Sequence, residues 1–220
     1  MGMPREMAEA QILEAAELEF GRSGFDGASM AGIARAAGLP KANLHYYFGT
    51  KEALYRAVLE NTLTDWLADA ELWLTPARAA REGLRGYVLA KLVFSRDRPH
   101  ASRLFAHEML QGAHHIRFYL STTLRAHVAL IGRTFALWAQ RGQMHKVDTP
   151  HFMFALWAMT QAYADMSAQM AAVLDRPALL PEDFERGAAT ILGLLLNEPS
   201  LGMAAGETGA GTWMELREKN

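Results

Sequence analysis

The chain has 220 residues, half of them hydrophobic, a formal net charge of −2 and no cysteine. That length suits one globular unit or two small ones with a sizeable core. The lack of cysteine excludes disulfides and cysteine-ligated metal or iron–sulfur sites, and the near-neutral charge argues against indiscriminate nucleic-acid binding.

The N-terminal stretch M-G-M-P-R-E-M-A-E-A is too acidic and too polar for a signal peptide. The apolar stretches are interrupted by polar residues well short of membrane-spanning length. The expectation is a soluble, cytoplasmic protein with no membrane partner. The first helix is expected over Glu6–Phe20, with Ile12, Ala16 and Phe20 on one side and glutamates on the other. F-G-R-S-G-F-D-G-A is read as its glycine-rich end.

Ser29 to Leu54 carries the densest pattern, S-M-A-G-I-A-R-A-A-G-L-P-K-A-N-L-H-Y-Y-F-G-T-K-E-A-L. Ser29 can cap a helix by accepting a backbone N–H bond. Met30, Ile33 and Ala34 form its apolar face, and Ala36 and Ala37 are small enough for a close helix approach. Gly38 suits the left-handed residue that ends a helix, and Leu39 is expected to pack inward. Pro40 fits the first position of the next helix. That layout is a helix-turn-helix, whose second helix enters a DNA major groove by its N-terminal end. Lys41, Ala42 and Asn43 then face base edges, where lysine can meet guanine acceptors or a phosphate and asparagine can pair with adenine. Leu44 and Phe48 point back into the domain. Tyr46 and Tyr47 are placed to bond phosphate oxygens, Thr50 caps the following helix, and Lys51 lies beside the DNA backbone. Acids outnumber bases over the first sixty residues, yet Arg35, Lys41, Lys51 and Arg56 face only Glu52 across the motif itself. A weak overall field of this kind suggests two recognition helices acting together. The plain alternative is an ordinary helical hairpin.

The same residues, extended to G-F-D-G-A before them, resemble the N-terminal domain of the TetR family of bacterial repressors over about the first sixty positions. The resemblance implies a three-helix DNA-binding domain followed by a helical ligand-binding bundle. Within it, Pro40 stands where the family usually has serine or threonine, so a side-chain cap is lost. His45 stands where many members carry a phosphate-binding tyrosine. The candidate DNA-facing set is Ser29, Lys41, Ala42, Asn43, His45, Tyr46, Tyr47 and Lys51.

After Thr50, the apolar pattern Leu54, Val58, Leu59, Leu63, Trp66, Leu67 predicts one long helix to about Trp73, ended by Thr75-Pro76. Further helices are expected at about 77–95, 100–111, 118–140, 150–174 and 181–197, separated by Arg98-Pro99, Gly112 and Arg141-Gly142. The fold expected is all-α, of about nine helices. The domains expected are a helix-turn-helix unit at 1–50, a ligand-binding and dimerisation bundle at 51–197, and a flexible tail at 198–220.

Phe152, Leu156, Met159, Tyr163, Met166, Met170 and Val173 alternate in steps of four and three, the signature of a helix-packing seam. Trp157, Gln161 and Asp165 form a separate stripe of indole, amide and carboxylate. Such a stripe can stack on and hydrogen-bond a small flat polar ligand, or simply face solvent or a second subunit. Trp66 is either a further aromatic ligand contact or a core residue. S-R-D-R-P-H-A-S-R-L-F-A-H-E-M-L-Q-G-A and F-A-L-W-A-M-T-Q-A-Y-A-D-M resemble the ligand domain of a uracil-responsive branch of the family, and the likeness extends from about Ser29 to Val173. It implies that Trp66, Trp157 and Gln161 line a pyrimidine site with Asp165 close by. Lys91, Arg96, Arg103 and Glu108 either complete the polar contacts to a ligand or, the preferred reading, form ion pairs within the bundle.

His107-Glu108 with His114-His115 lacks the H-E-x-x-H spacing of a zinc-protease helix. No nucleophile elbow, P-loop or dinucleotide fingerprint is present. The expectation is no enzyme and no cofactor, but a homodimeric regulator of operator DNA with inverted half-sites, paired through its last two helices and switched by a pyrimidine-like effector. The alternative expectation is a helical small-molecule-binding or interaction protein without DNA binding.

Overall fold

A computed structural model describes residues 4–196, so the tail expected at 198–220 lies outside the described residues. The described residues contain no strand and ten helices when segments joined end to end are counted once. They group into two compact units. The first takes in residues 4–68, 97–130 and 164–166, the second residues 69–96, 131–163 and 167–196.

The first unit opens with α1 (Arg5–Gly27), which buries Ala8, Ile12, Ala15, Ala16 and Phe20. It does not stop at Gly21 as expected. It runs to a kink at Gly24, where φ is 67° and ψ 179°. Gly21 has another use: a Cβ there would meet the His100 Cβ at 3.1 Å and the His100 carbonyl oxygen at 3.3 Å. Two short helices follow, α2 (Met30–Ala36) and α3 (Lys41–Phe48). The long α4 (Lys51–Trp73) contributes Leu54, Tyr55, Val58, Leu59, Leu63 and Trp66 to this unit's interior.

Helix α6 (Pro99–Leu110) starts at Arg98, whose guanidinium bonds Glu17 of α1 and Asp65 of α4. Near its end the buried Glu108 carboxylate accepts the Tyr55 hydroxyl at 3.2 Å and the His115 backbone N–H at 2.8 Å. The His115 ring nitrogen Nδ1 lies 3.1 Å from the same carboxylate. Glu108 therefore forms an internal cluster with Tyr55 and His115. Tyr55 and His115 also pack with Phe25 at ring separations of 5.0 Å.

The rod expected at 118–140 starts at α7 (Arg117–Tyr119), widens into a π-turn at Leu120–Leu124 and continues as α8 (Arg125–Gln140). The widening has a local cause. The Ser121 and Thr122 hydroxyls both donate to the Phe118 carbonyl, at 3.1 and 2.7 Å, in competition with the helical ladder.

In the second unit, α5 (Ala80–Asp97) begins later than expected. The preceding turn is held from the end of α8: Trp138 Nε1 donates to the Arg78 carbonyl at 2.9 Å, Arg141 to the Pro76 carbonyl at 3.0 Å, and Ala80 N–H to the Gln143 side chain at 3.2 Å. Those bonds satisfy groups that an earlier helix start would have used. The core gathers Leu84, Tyr87, Val88, Leu92, Ile131, Phe135, Trp138, Met153, Leu156, Phe184 and Ile191.

The helix expected at 150–174 is two, α9 (Thr149–Asp165) and α10 (Ser167–Val173), which raises the count from nine to ten. Arg103 Nε donates to the Ala164 carbonyl at 3.0 Å, and Ser102 Oγ to the Asp165 carboxylate at 2.8 Å, so the helix end is bound by side chains. The expected seam fails past that break: Met166 and Val173 are exposed. Before it, the buried stripe is Met153, Leu156, Thr160 and Ala164. The last helix, α11 (Pro181–Leu196), packs closely on Tyr163, since a Cβ at Gly187 would fall 2.2 Å from the Tyr163 hydroxyl. Its start is bound by Asp183, which accepts from Arg176 at 2.7 Å and from Leu180 N–H at 2.8 Å.

Candidate nucleic-acid interface

The motif folds as its residues dictate. Ser29 Oγ accepts the Gly32 N–H at 3.0 Å and caps α2, while Met30, Ile33 and Ala34 are buried beneath it. At the other end Gly38 takes φ 64°, with Gly38 N–H on the Arg35 carbonyl and Leu39 N–H on the Ala34 carbonyl. That pair of bonds is the left-handed helix stop for which a residue without Cβ is needed. Three details differ from expectation. Ala37 is buried but Ala36 is exposed, so only the former serves the close approach; Leu39 is half-buried. Pro40 is the N-cap residue of α3, with φ −58° and ψ 140°, and makes no side-chain cap bond. An extended ψ keeps it outside the helix by one position.

Leu44 is fully buried and anchors α3, with Phe48 half-buried one turn on. Lys41, Ala42, His45 and Tyr46 are exposed, and Asn43 and Tyr47 are half-buried. Tyr46 is 78% exposed, unusual for so large a ring, and stands edge-on to Tyr47 at 5.1 Å. His45 Nδ1 lies 2.9 Å from the Gly49 carbonyl. In the neutral ring that bond leaves Nε2 without a proton, so a phosphate contact there requires the imidazolium. Thr50 caps α4 by accepting Ala53 N–H at 3.1 Å. The Lys51 ammonium lies 4.6 Å over the Phe25 ring and donates to the Asp26 carbonyl at 3.3 Å. It thus ties the start of α4 to the α1–α2 turn, with further N–H donors on the same nitrogen. Arg35 and Arg56 are also exposed, whereas α3 itself carries no acid.

The sequence-expected effector residues fall in both units. In the first, Trp66 is buried and meets Phe105 edge-to-face at 5.0 Å, while Asp165 is half-buried and accepts from Ser102. In the second, Trp157 and Gln161 are half-buried, one turn apart on α9. The Trp157 indole N–H donates to the Tyr87 hydroxyl at 2.9 Å. Neither Tyr87 nor Ser102 stood out in the sequence. Each sits far along the chain from its partner, and neither belongs to a pattern with it.

Two successive parts of the chain match two family models. Residues 12–58 match that of the bacterial regulatory proteins of the tetR family, and residues 59–201 match the C-terminal region of YcdC-like proteins. The chain belongs to the TetR family of bacterial regulatory proteins. It is a DNA-binding transcriptional regulator and not an enzyme.

Among curated TetR-family relatives, it is 41% identical over 168 residues to the HTH-type transcriptional regulator RutR of Escherichia coli K12, covering 74% of this chain and 76% of that one. It is 31% identical over 87 residues to the regulator BetI of Paraburkholderia phymatum, covering 39% and 44%. Among solved structures, the fold is similar to AibR in complex with isovaleryl coenzyme A and operator DNA, with a TM-score of 0.66 and 20% identity over 87% of this chain and 99% of that one. A TetR-like regulator from Rhodococcus sp. RHA1 gives 0.65 and 21% over 93% and 100%. No helix among the described residues is long and apolar enough to cross a membrane.

Proposed function

We propose that this TetR-family regulator is a homodimeric repressor of the cytoplasm. Residues 1–50 read an operator, and residues 51–197 bind a pyrimidine-like effector and a second subunit. The observation that carries the DNA assignment is the exposed N-terminal end of α3, where Lys41 and Ala42 stand clear of the protein above the buried anchor Leu44. Lys41 and Asn43 supply base-edge donors, while Tyr46, Tyr47, Lys51 and a protonated His45 meet phosphates. Ser29 holds α2 across the backbone. A two-fold dimer places the two recognition helices on successive major grooves, roughly 34–36 Å apart, and so demands inverted half-sites.

The pairing surface is α9 with α11. Phe154 is 53% and Leu194 72% exposed on these helices, although both are apolar. An apolar side chain exposed on each of the two helices supports contact with a second subunit there.

The effector contacts are Trp66, Trp157, Gln161 and Asp165. Indole and amide suit a flat ring with an imide edge, and the resemblance of residues 29–173 to the uracil-responsive branch of the family supports a pyrimidine. Ligand and operator then oppose each other by one coupling free energy, typically about 1–3 kcal/mol, which acts equally in both directions.

Selection of bound sequences from random DNA, with and without uracil or thymine, tests the whole reading. An inverted repeat whose gel shift fades as pyrimidine is added is the expected result. Operator binding that persists at saturating uracil and thymine removes the effector, and recovery of no preferred sequence removes the DNA assignment.

A further inference from the structure

The indole of Trp157 carries a single polar atom, the donor Nε1–H. That donor is already committed, at 2.9 Å, to the hydroxyl of Tyr87 on α5. Tyr87 is 1% exposed and embedded in the core of the second unit, whereas Trp157 is half-buried. The polar end of the indole therefore points inward and part of its ring is left accessible. Phe154 flanks the same indole at 5.9 Å with the planes tilted by 49°. A second bond between the same two helices, from Ser95 Oγ to the Thr160 carbonyl at 3.1 Å, fixes α5 along α9.

We infer that the Tyr87 hydroxyl positions the Trp157 indole, so that this regulator meets its effector at that residue through the ring face and not through the indole N–H. The inference rests on Trp157 being an effector contact. It narrows the ligand class. Trp157 contributes stacking on a planar, delocalised ring, and every hydrogen bond to the ligand's polar edge must come from other groups such as Gln161. A compact aliphatic ligand, with no ring to stack, gains little from an indole held this way.

Tyr87→Phe keeps the core ring and deletes only the acceptor, which makes it the informative variant. Uracil binding by calorimetry is expected to weaken roughly tenfold, the scale set by stranding one buried donor. In a Trp157→Phe background the same change is expected to have no further effect, because no N–H remains to be held. Equal losses in both backgrounds overturn the inference. The indole N–H resonance missing from the Trp157→Phe spectrum belongs to Trp157. It should exchange slowly in the unaltered protein and faster in Tyr87→Phe. Rapid exchange in the unaltered protein overturns the inference even if Tyr87→Phe fails to fold. If uracil and thymine do not bind the unaltered protein at all, the effector assignment falls by itself. The exchange rates then still decide whether Tyr87 holds Trp157.

Discussion

At the residue scale, the recognition helix separates side chains that hold it from side chains left for a partner. Leu44 belongs to the first group; Lys41, Ala42 and Tyr46 belong to the second. Lys41→Ala combined with Tyr46→Phe should weaken operator binding by about 1–3 kcal/mol without lowering the melting temperature, as read by gel shift and thermal melts. Unchanged operator affinity would show that Lys41 and Tyr46 do not carry the operator contacts. Ser29→Ala removes the N-cap of α2 and should cost about 1 kcal/mol in urea unfolding.

Two buried phenols add a pH signature. Burial pushes the Tyr87 hydroxyl well above the usual tyrosine range. Burial, helped by the Glu108 charge, does the same for Tyr55. The folded protein therefore keeps protons that the unfolded chain releases above about pH 10. Stability should not depend on these groups below that pH and should fall as pH rises beyond it. Tyr87→Phe should flatten the fall in a denaturant series run at increasing pH.

At the scale of elements, helix ends are decided as much by remote partners as by local residues. Gly38 and Thr50 act locally and behave as their neighbours in sequence suggest. The π-turn also has a local cause, whereas the late start of α5 and the break at Met166 depend on carbonyls and N–H groups captured by side chains from far along the chain. Close helix contacts have the same character. A Cβ at Gly86 would lie 2.0 Å from the Trp73 ring, so α5 can pack there only without a side chain. Gly86→Ala should therefore destabilise the second unit by about 1–3 kcal/mol through overpacking, against the small gain that alanine brings to an isolated helix. A thermal melt compared with the exposed control Arg85→Ala checks the sign.

At the scale of the whole molecule, the proposed function requires two copies and a ligand to act on one equilibrium. Phe154→Glu with Leu194→Glu places charge on both helices of the proposed pairing surface. The pair should yield a monomer by sedimentation, with operator binding reduced far more than folding. In the proposed dimer two copies share one operator, so binding should also weaken as salt rises, by the number of phosphates that the two helices neutralise.

Periodicity and turn chemistry determined the helical class, the order of the helices and the helix-turn-helix, because each depends on neighbours three to five residues apart. They also marked Lys41, Ala42 and Tyr46 as exposed candidates, since an anchor at Leu44 fixes which side of a short helix faces out. Only the tertiary structure decided that Glu108 is shared by Tyr55 and His115, that Asp165 takes the Ser102 hydroxyl, and that Tyr87 occupies the Trp157 N–H. Those pairings join polar atoms on separate segments of the chain. Buried donors and acceptors must find partners wherever packing brings them together, and no local spacing records where that is.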